Sequence, residues 1–222
     1  MANMNNVTNS GSHTVFVRSD TEKFRVAKVG SIPCCFSMQM VVKEFAIASA
    51  CRLLAVHPPP WTSKILDIPA AITKEQGGHT LSRSQFTALE TTLRSKFSLI
   101  TGGPGVGKTT ILENLVRVLS VVGMHVVLCA PTGRAAQRLE NATGAPATTI
   151  HRLLKIDFNG EGGLSMLNAD VVIVDEASMV DIKLMYSLIT RIPPHAALII
   201  VGDTDQLPPV VGHLKKKKKK KK

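Results

Sequence analysis

Residues Gly102 to Thr110 read GGPGVGKTT, set without a spacer between the apolar run Ser98–Thr101 and the helical pattern ILENLVRVL. A strand that must become a helix across so short a loop leaves few architectures open. The glycines permit a tight backbone turn whose N–H groups converge on one point. The helix that follows directs its positive amino-terminal end at the same point. Such a loop suits an anion of the phosphate type. Gly102, Gly107, Lys108 and Thr109 complete the spacing G-x-x-x-x-G-K-T, which adds a point charge and a hydroxyl there.

The surrounding pattern says what kind of sheet carries the loop. Four short runs, FSLIT (97–101), HVVLCA (125–130), DVVIVD (170–175) and ALIIVG (197–202), are apolar throughout rather than alternating. Continuous apolarity in short strands suits a parallel sheet covered on both faces. Helical stripes separate the runs: Phe86, Leu89 and Leu93 from a start near Ser82, then Ile111, Leu112, Leu115, Val118, Leu119 and Val122 up to Gly123. The expected fold class is α/β, with a mostly parallel, doubly wound sheet. Ligands in such sheets bind at the carboxyl ends of the strands, and each motif below follows a strand directly.

We expect the α/β domain over residues 78–214, after a small, poorly defined amino-terminal accessory segment over 1–77. Residues 1–12 read as disordered. Strands followed by a helix fit 14–56, and Pro58-Pro59-Pro60 marks a break. Residues 215–222 are eight consecutive lysines, expected to be disordered. They also distort the charge. Without them 19 of the 27 basic residues remain against 16 acidic ones, so the formal +11 falls to +3. The tail reads either as a phosphate-binding appendage or as an artefact of the reading frame or tag. We favour the second, because it starts abruptly after VVGHL. The four cysteines show neither zinc-ligand spacing nor a disulfide framework, which points to reduced thiols and a cytoplasmic location. No apolar run approaches the ~18 residues of a membrane span, and the polar start MANMNNVTNSGSH lacks the order of a signal peptide.

The chemistry is that of a nucleoside triphosphate site. Lys108 is placed for the β- and γ-phosphates of ATP and Thr109 for Mg²⁺, while Gly103, Pro104, Gly105, Val106, Gly107 and Thr110 complete the phosphate loop. About 65 residues on, four apolar residues end in Asp175-Glu176. Asp175 is placed to reach the Mg²⁺ water shell, and Glu176 to polarise an attacking water as general base. After the next strand comes GDTDQLPP (202–209). There Gln206 can both donate to and accept from a γ-phosphate, although a polar turn before two prolines explains the same residues.

In combination these segments become specific. GGPGVGKTT, APTGRAAQRLE, TTIHRLL, VDEASMVD and GDTDQLPPV, in this order, closely resemble the RecD-like branch of superfamily 1 DNA helicases, the exodeoxyribonuclease V alpha subunit and its stand-alone relatives. The resemblance covers roughly residues 80–212 and implies a RecA-like ATP-binding fold. It implies that Gln85 reads the adenine edge, although Ser82 and Gln85 equally fit a capping box. By the same resemblance Lys108, Glu176 and Gln206 are catalytic, Gln206 with Asp203 coupling the γ-phosphate to DNA. Pro131, Thr132 and Gly133 resemble the family's first single-stranded DNA contact, a short loop with free N–H groups and a hydroxyl. Arg134 and Arg138 on the next helix either add charge for the DNA backbone or form a solvated face. His151 matches a position near the DNA path, or serves the structure.

Further implications concern the whole machine: 5′-to-3′ translocation on single-stranded DNA, a role in repair or recombination, and other subunits of a helicase–nuclease complex. Helicases of this kind also need a second RecA-like domain with an arginine finger, and nothing after Val210 resembles one. The chain therefore reads as a first motor domain, a fragment not able to unwind alone. The competing readings are a stand-alone ATP- and DNA-binding module and another DNA-dependent ATPase of the clamp-loader kind. The segments around Thr132 and Gln206 argue against the latter.

Overall fold

The computed structural model describes residues 15–18, 23–29, 32–75, 80–157 and 162–203. Strands β1 (Val15–Arg18), β2 (Lys23–Val29) and β3 (Ile32–Ser37) form an antiparallel sheet in that order. Helix α1 (Met38–Ala55) follows β3 directly. Beyond the prolines come α2 (Ile68–Glu75), whose first turn is capped by Asp67 Oδ1 accepting from the Ala70 N–H at 3.0 Å, and α3 (Arg83–Leu93).

The central sheet is built from β4 (Phe97–Thr101), β5 (Val126–Ala130), β6 (Ala147–Thr149), β7 (Val171–Val174) and β8 (Ala197–Gly202). All its pairings are parallel and its order is β4-β8-β7-β5-β6. Helices α4 (Lys108–Val121), α5 (Gly133–Thr143), α6 (Ile150–Leu153) and α7 (Ile182–Ile189), with a 3₁₀ turn at Ala177–Met179, connect the strands. The period of two within a strand sends alternate residues to opposite faces. Ile173 and Val171 accordingly join a core with α2, α3 and α4, whereas Val172 and Val174 join one with α1 and α7. The sheet is doubly wound, and the four apolar runs are its four long strands.

Three features lie outside what periodicity shows. Strand β6 is a fifth, three-residue edge strand formed by Ala147 and the first two residues of the TTIHRLL segment, and α6 takes up the next four. Helix α2 occupies a stretch that carries little pattern in the sequence. Most consequential is Trp61, fully buried just past the triple proline, its Nε1 donating to the Leu93 carbonyl at 2.7 Å. Trp61, Ile65 and Ile72 pack in one cluster with Leu89, Leu93 and Leu112. Leu54 at the end of α1 joins the other core, and Lys43 lies 5.8 Å from the Tyr186 ring centroid on α7. Residues between Ile47 and Ile72 therefore share both cores of the sheet, and each fully buried apolar side chain stabilises the fold by about 1.5–3 kcal/mol.

Cys129 is buried in β5, and burial pushes its thiol up to about 12, so it is inert packing rather than chemistry. Among the described residues no helix is long and apolar enough to cross a membrane.

Candidate active site at the carboxyl ends of the strands

Between β4 and α4 the chain turns through two left-handed glycines, Gly105 (φ 78°) and Gly107 (φ 85°). Gly107 is held to glycine by its left-handed backbone, and an added side chain would also displace the Gln85 amide. Its backbone is strained for any L side chain, and a Cβ there would lie 2.2 Å from Gln85 Nε2. At Gly103 and Gly105 a Cβ would meet nothing within 4 Å, so the loop presents bare backbone to open space. Helix α4 starts at Lys108, and the first N–H groups of a helix have no acceptor within it. Val106 and Thr109 are exposed, and Thr110 is half-buried. The Lys108 ammonium folds back over the loop, donating to the carbonyls of Gly102 and Gly103, the latter at 2.8 Å.

Opposite the loop, Asp175 directly follows β7. Its N–H donates to the Cys129 carbonyl at 2.9 Å, which extends the ladder to β5 and holds the residue rigidly. Its Oδ1 accepts from the Glu176 N–H at 2.8 Å. Burial raises the Asp175 carboxyl above the ordinary aspartate value, reinforced by the Glu176 charge and opposed by that hydrogen bond, Arg138 and Lys108. Glu176 itself adopts left-handed backbone (φ 51°, ψ 39°), a conformation that costs about 1–3 kcal/mol in a non-glycine residue. Its Oε1 accepts from Arg138 Nη2 of α5 at 2.6 Å. Asp203, buried just past β8, stands on the floor between the two walls.

These groups enclose a cavity of about 420 Å³ lined by Pro104, Gly105, Lys108, Thr109, Asp175, Glu176 and Asp203, with Arg138, Leu139 and Gly202. An ammonium, a hydroxyl and carboxylates around a bare-backbone cradle fit a phosphate chain with a hard divalent cation of the Mg²⁺ kind. A larger cleft of about 660 Å³ beside Trp61, lined among others by Pro58, Thr62, Leu66, Asp67 and Pro69, includes neither the phosphate loop nor the Asp175-Glu176 pair.

The remaining candidates fall around this cavity. Of its two readings, Gln85 meets the capping box here and adds a contact to the phosphate loop. Its Oε1 accepts from the Ser82 N–H at 2.9 Å, closing the capping box, while its Nε2 donates to the Val106 carbonyl at 3.4 Å and so braces the phosphate loop. Pro131, Thr132 and Gly133 follow β5 at the same edge of the sheet. Thr132 caps α5, its Oγ1 accepting from the Ala135 N–H at 3.2 Å, and Gly133 and Arg134 are exposed. His151 is an exposed residue of α6 and does not line the cavity. Gln206 lies outside the described residues. Arg138, read from the sequence as backbone charge or solvated face, instead reaches the carboxylate of Glu176. Only its spacing of four from Arg134 hinted at a shared face.

The raised Asp175 carboxyl carries a stability prediction. A carboxyl whose folded value lies above its unfolded one binds protons more tightly when folded, so ionising it destabilises the fold as pH rises through that value. Asp175→Asn keeps an Oδ1 acceptor without the charge. We expect it to melt higher near pH 7 by on the order of 1 kcal/mol, about 2–4 °C. The gain should fade as pH falls towards the ordinary aspartate value. Thermal melts of both proteins between pH 4 and 7 check this; a variant that melts lower throughout would refute it.

Comparison with known proteins adds the family. Residues 85–212 match the AAA domain family. The chain is 40% identical over 169 residues to the ATP-dependent RecD2 DNA helicase of Deinococcus radiodurans, covering 75% of this chain and 23% of that protein. It is 38% identical over 151 residues to the RecBCD enzyme subunit RecD of Haemophilus influenzae, covering 55% and 24%. Over 121 residues it is 36% identical to the ATP-dependent DNA helicase dda of phage T4, covering 50% and 28%. The chain thus spans about a quarter of the length of these relatives. Residues 85–212 take in the phosphate loop, α5 and the Asp175-Glu176 pair; the chain belongs to the AAA domain family and within it is RecD-like.

Proposed function

We propose that this chain is the ATP-binding first motor domain of a RecD-like ATP-dependent DNA helicase. The observation that carries the reading is the meeting of Lys108, Thr109, Asp175 and Glu176 in one cavity, at the sheet edge where Thr132 also lies. With ATP in the loop, the Lys108 ammonium leaves the carbonyls of Gly102 and Gly103 for the β- and γ-phosphates. Thr109 and Asp175 would hold a Mg²⁺, which would neutralise charge on the phosphates. Glu176 takes the proton of the attacking water. Gln85 meets the adenine edge, and Gln206 with Asp203 reads the γ-phosphate and passes its state to the DNA path. Pro131, Thr132, Gly133 and Arg134 hold single-stranded DNA by its phosphates, with His151 beside them.

In the working protein this domain closes on a second motor domain, whose arginine completes the transition-state charge and is worth ~10³-fold or more in rate. Taken alone, the first domain binds nucleotide without unwinding. Movement runs 5′ to 3′ in a cytoplasmic repair or recombination setting. The RecD relatives named as RecBCD subunits support an assembly with other subunits. The test is ATP hydrolysis with and without single-stranded DNA, for the protein and for Lys108→Ala. DNA should stimulate turnover, and the substitution should lower it by about 10²–10³-fold, the loss typical of removing one preorganised charge-stabilising group. Turnover indifferent to Lys108 would place catalysis elsewhere.

A further inference from the structure

Helix α5 links the two halves of the proposed function. Its first turn carries the loop proposed to hold DNA, and one turn later Arg138 reaches Glu176 Oε1 at 2.6 Å. The pair is unequal: the Arg138 side chain is 64% exposed and that of Glu176 22%. Arg138 is therefore free to swing, while Glu176 is confined by a left-handed backbone and by Asp175 beside it. A guanidinium hydrogen bond on Oε1 engages the oxygen that would otherwise face a water in the cavity. Exposed pairs of this kind are worth only about 0–1 kcal/mol, so a competing anion can break them. A DNA phosphate is such an anion, and it would sit within reach of both Arg134 and Arg138, which share a helix face at a spacing of four.

We propose that Arg138 is a positioning residue that restrains Glu176 until single-stranded DNA at the start of α5 draws the guanidinium away. The proposal rests on the DNA reading above and supplies its coupling: strand binding releases the base. It makes Arg138 a brake on hydrolysis without DNA, not a contributor to ATP affinity.

The experiment measures kcat and KM for ATP with and without a poly-dT oligonucleotide, for the protein, Arg138→Ala and Arg138→Lys. Oligonucleotide affinity by fluorescence anisotropy and thermal melts are taken on the same samples. Arg138→Ala should raise the DNA-free kcat by about fivefold, the factor matching loss of one exposed pair. Its KM should stay within about twofold, and poly-dT should add little more. Arg138→Lys should bring back much of the DNA dependence, because it retains the charge. A DNA-free kcat at or below that of the unsubstituted protein overturns the proposal, as does unchanged stimulation by poly-dT. If the unsubstituted protein neither binds poly-dT nor responds to it, the DNA reading fails instead. The DNA-free rate of Arg138→Ala then still shows whether the pair restrains Glu176.

Discussion

Glu176→Gln is expected to lower ATP turnover by about 10²–10⁴-fold, the range for loss of a positioned general base. The substitution keeps size, left-handed backbone and an acceptor oxygen for Arg138, and removes only the ability to take a proton. Nucleotide affinity should therefore hold or rise slightly, since one negative charge leaves a site that receives phosphates. A fluorescent ATP analogue titrated against both proteins, beside steady-state hydrolysis, separates the two effects. Loss of affinity in parallel with turnover would make Glu176 a binding group and return the base to another residue. Retained turnover would remove it from the chemistry altogether.

Trp61→Ala should have the largest effect on stability. The indole is fully buried among α2, α3 and α4, and its N–H satisfies the Leu93 carbonyl at the end of α3. Truncating a buried tryptophan costs about 3–5 kcal/mol. In a chain of this size that lowers the Tm by roughly 10 °C. Trp61→Phe, which keeps most of the bulk and abandons the hydrogen bond, should cost about 1–2 kcal/mol. Melting by circular dichroism decides whether residues 54–75 unfold with the sheet. An alanine variant that melts like the unsubstituted protein would make that segment an independent attachment, with the α/β domain beginning near residue 78.

How much of this was legible in the chain follows from how local each signal is. The four long strands announce themselves because burial on both faces leaves no room for polar residues, as Val171–Val174 shows. The phosphate loop is legible because its glycines answer a backbone requirement, written within nine residues. Strand β6 is not, since three half-buried residues at a sheet edge carry no periodicity. Helix α2 hides for a similar reason: it is short and has Pro69 in its first turn. The capping box of Gln85 is a local pattern and could be read, but its bond to the Val106 carbonyl joins residues 21 positions apart. The Arg138–Glu176 pair spans 38 positions and comes from an exposed helix face. Only the sheet order brings those two together. Function was legible where one stretch of backbone serves one ligand group, and hidden where two distant stretches meet.

The placement of β8 between β4 and β7 has a mechanical consequence. With strands about 4.8 Å apart, the phosphate loop and the acidic pair face each other across two spacings, about 10 Å. The chain leaves Gly202 in the middle of that span, with the loop on one side and Asp175 on the other. The sheet itself thus acts as a caliper whose jaws are set by hydrogen-bond spacing rather than by side chains. Asp203, the residue that leaves β8, stands at its midpoint.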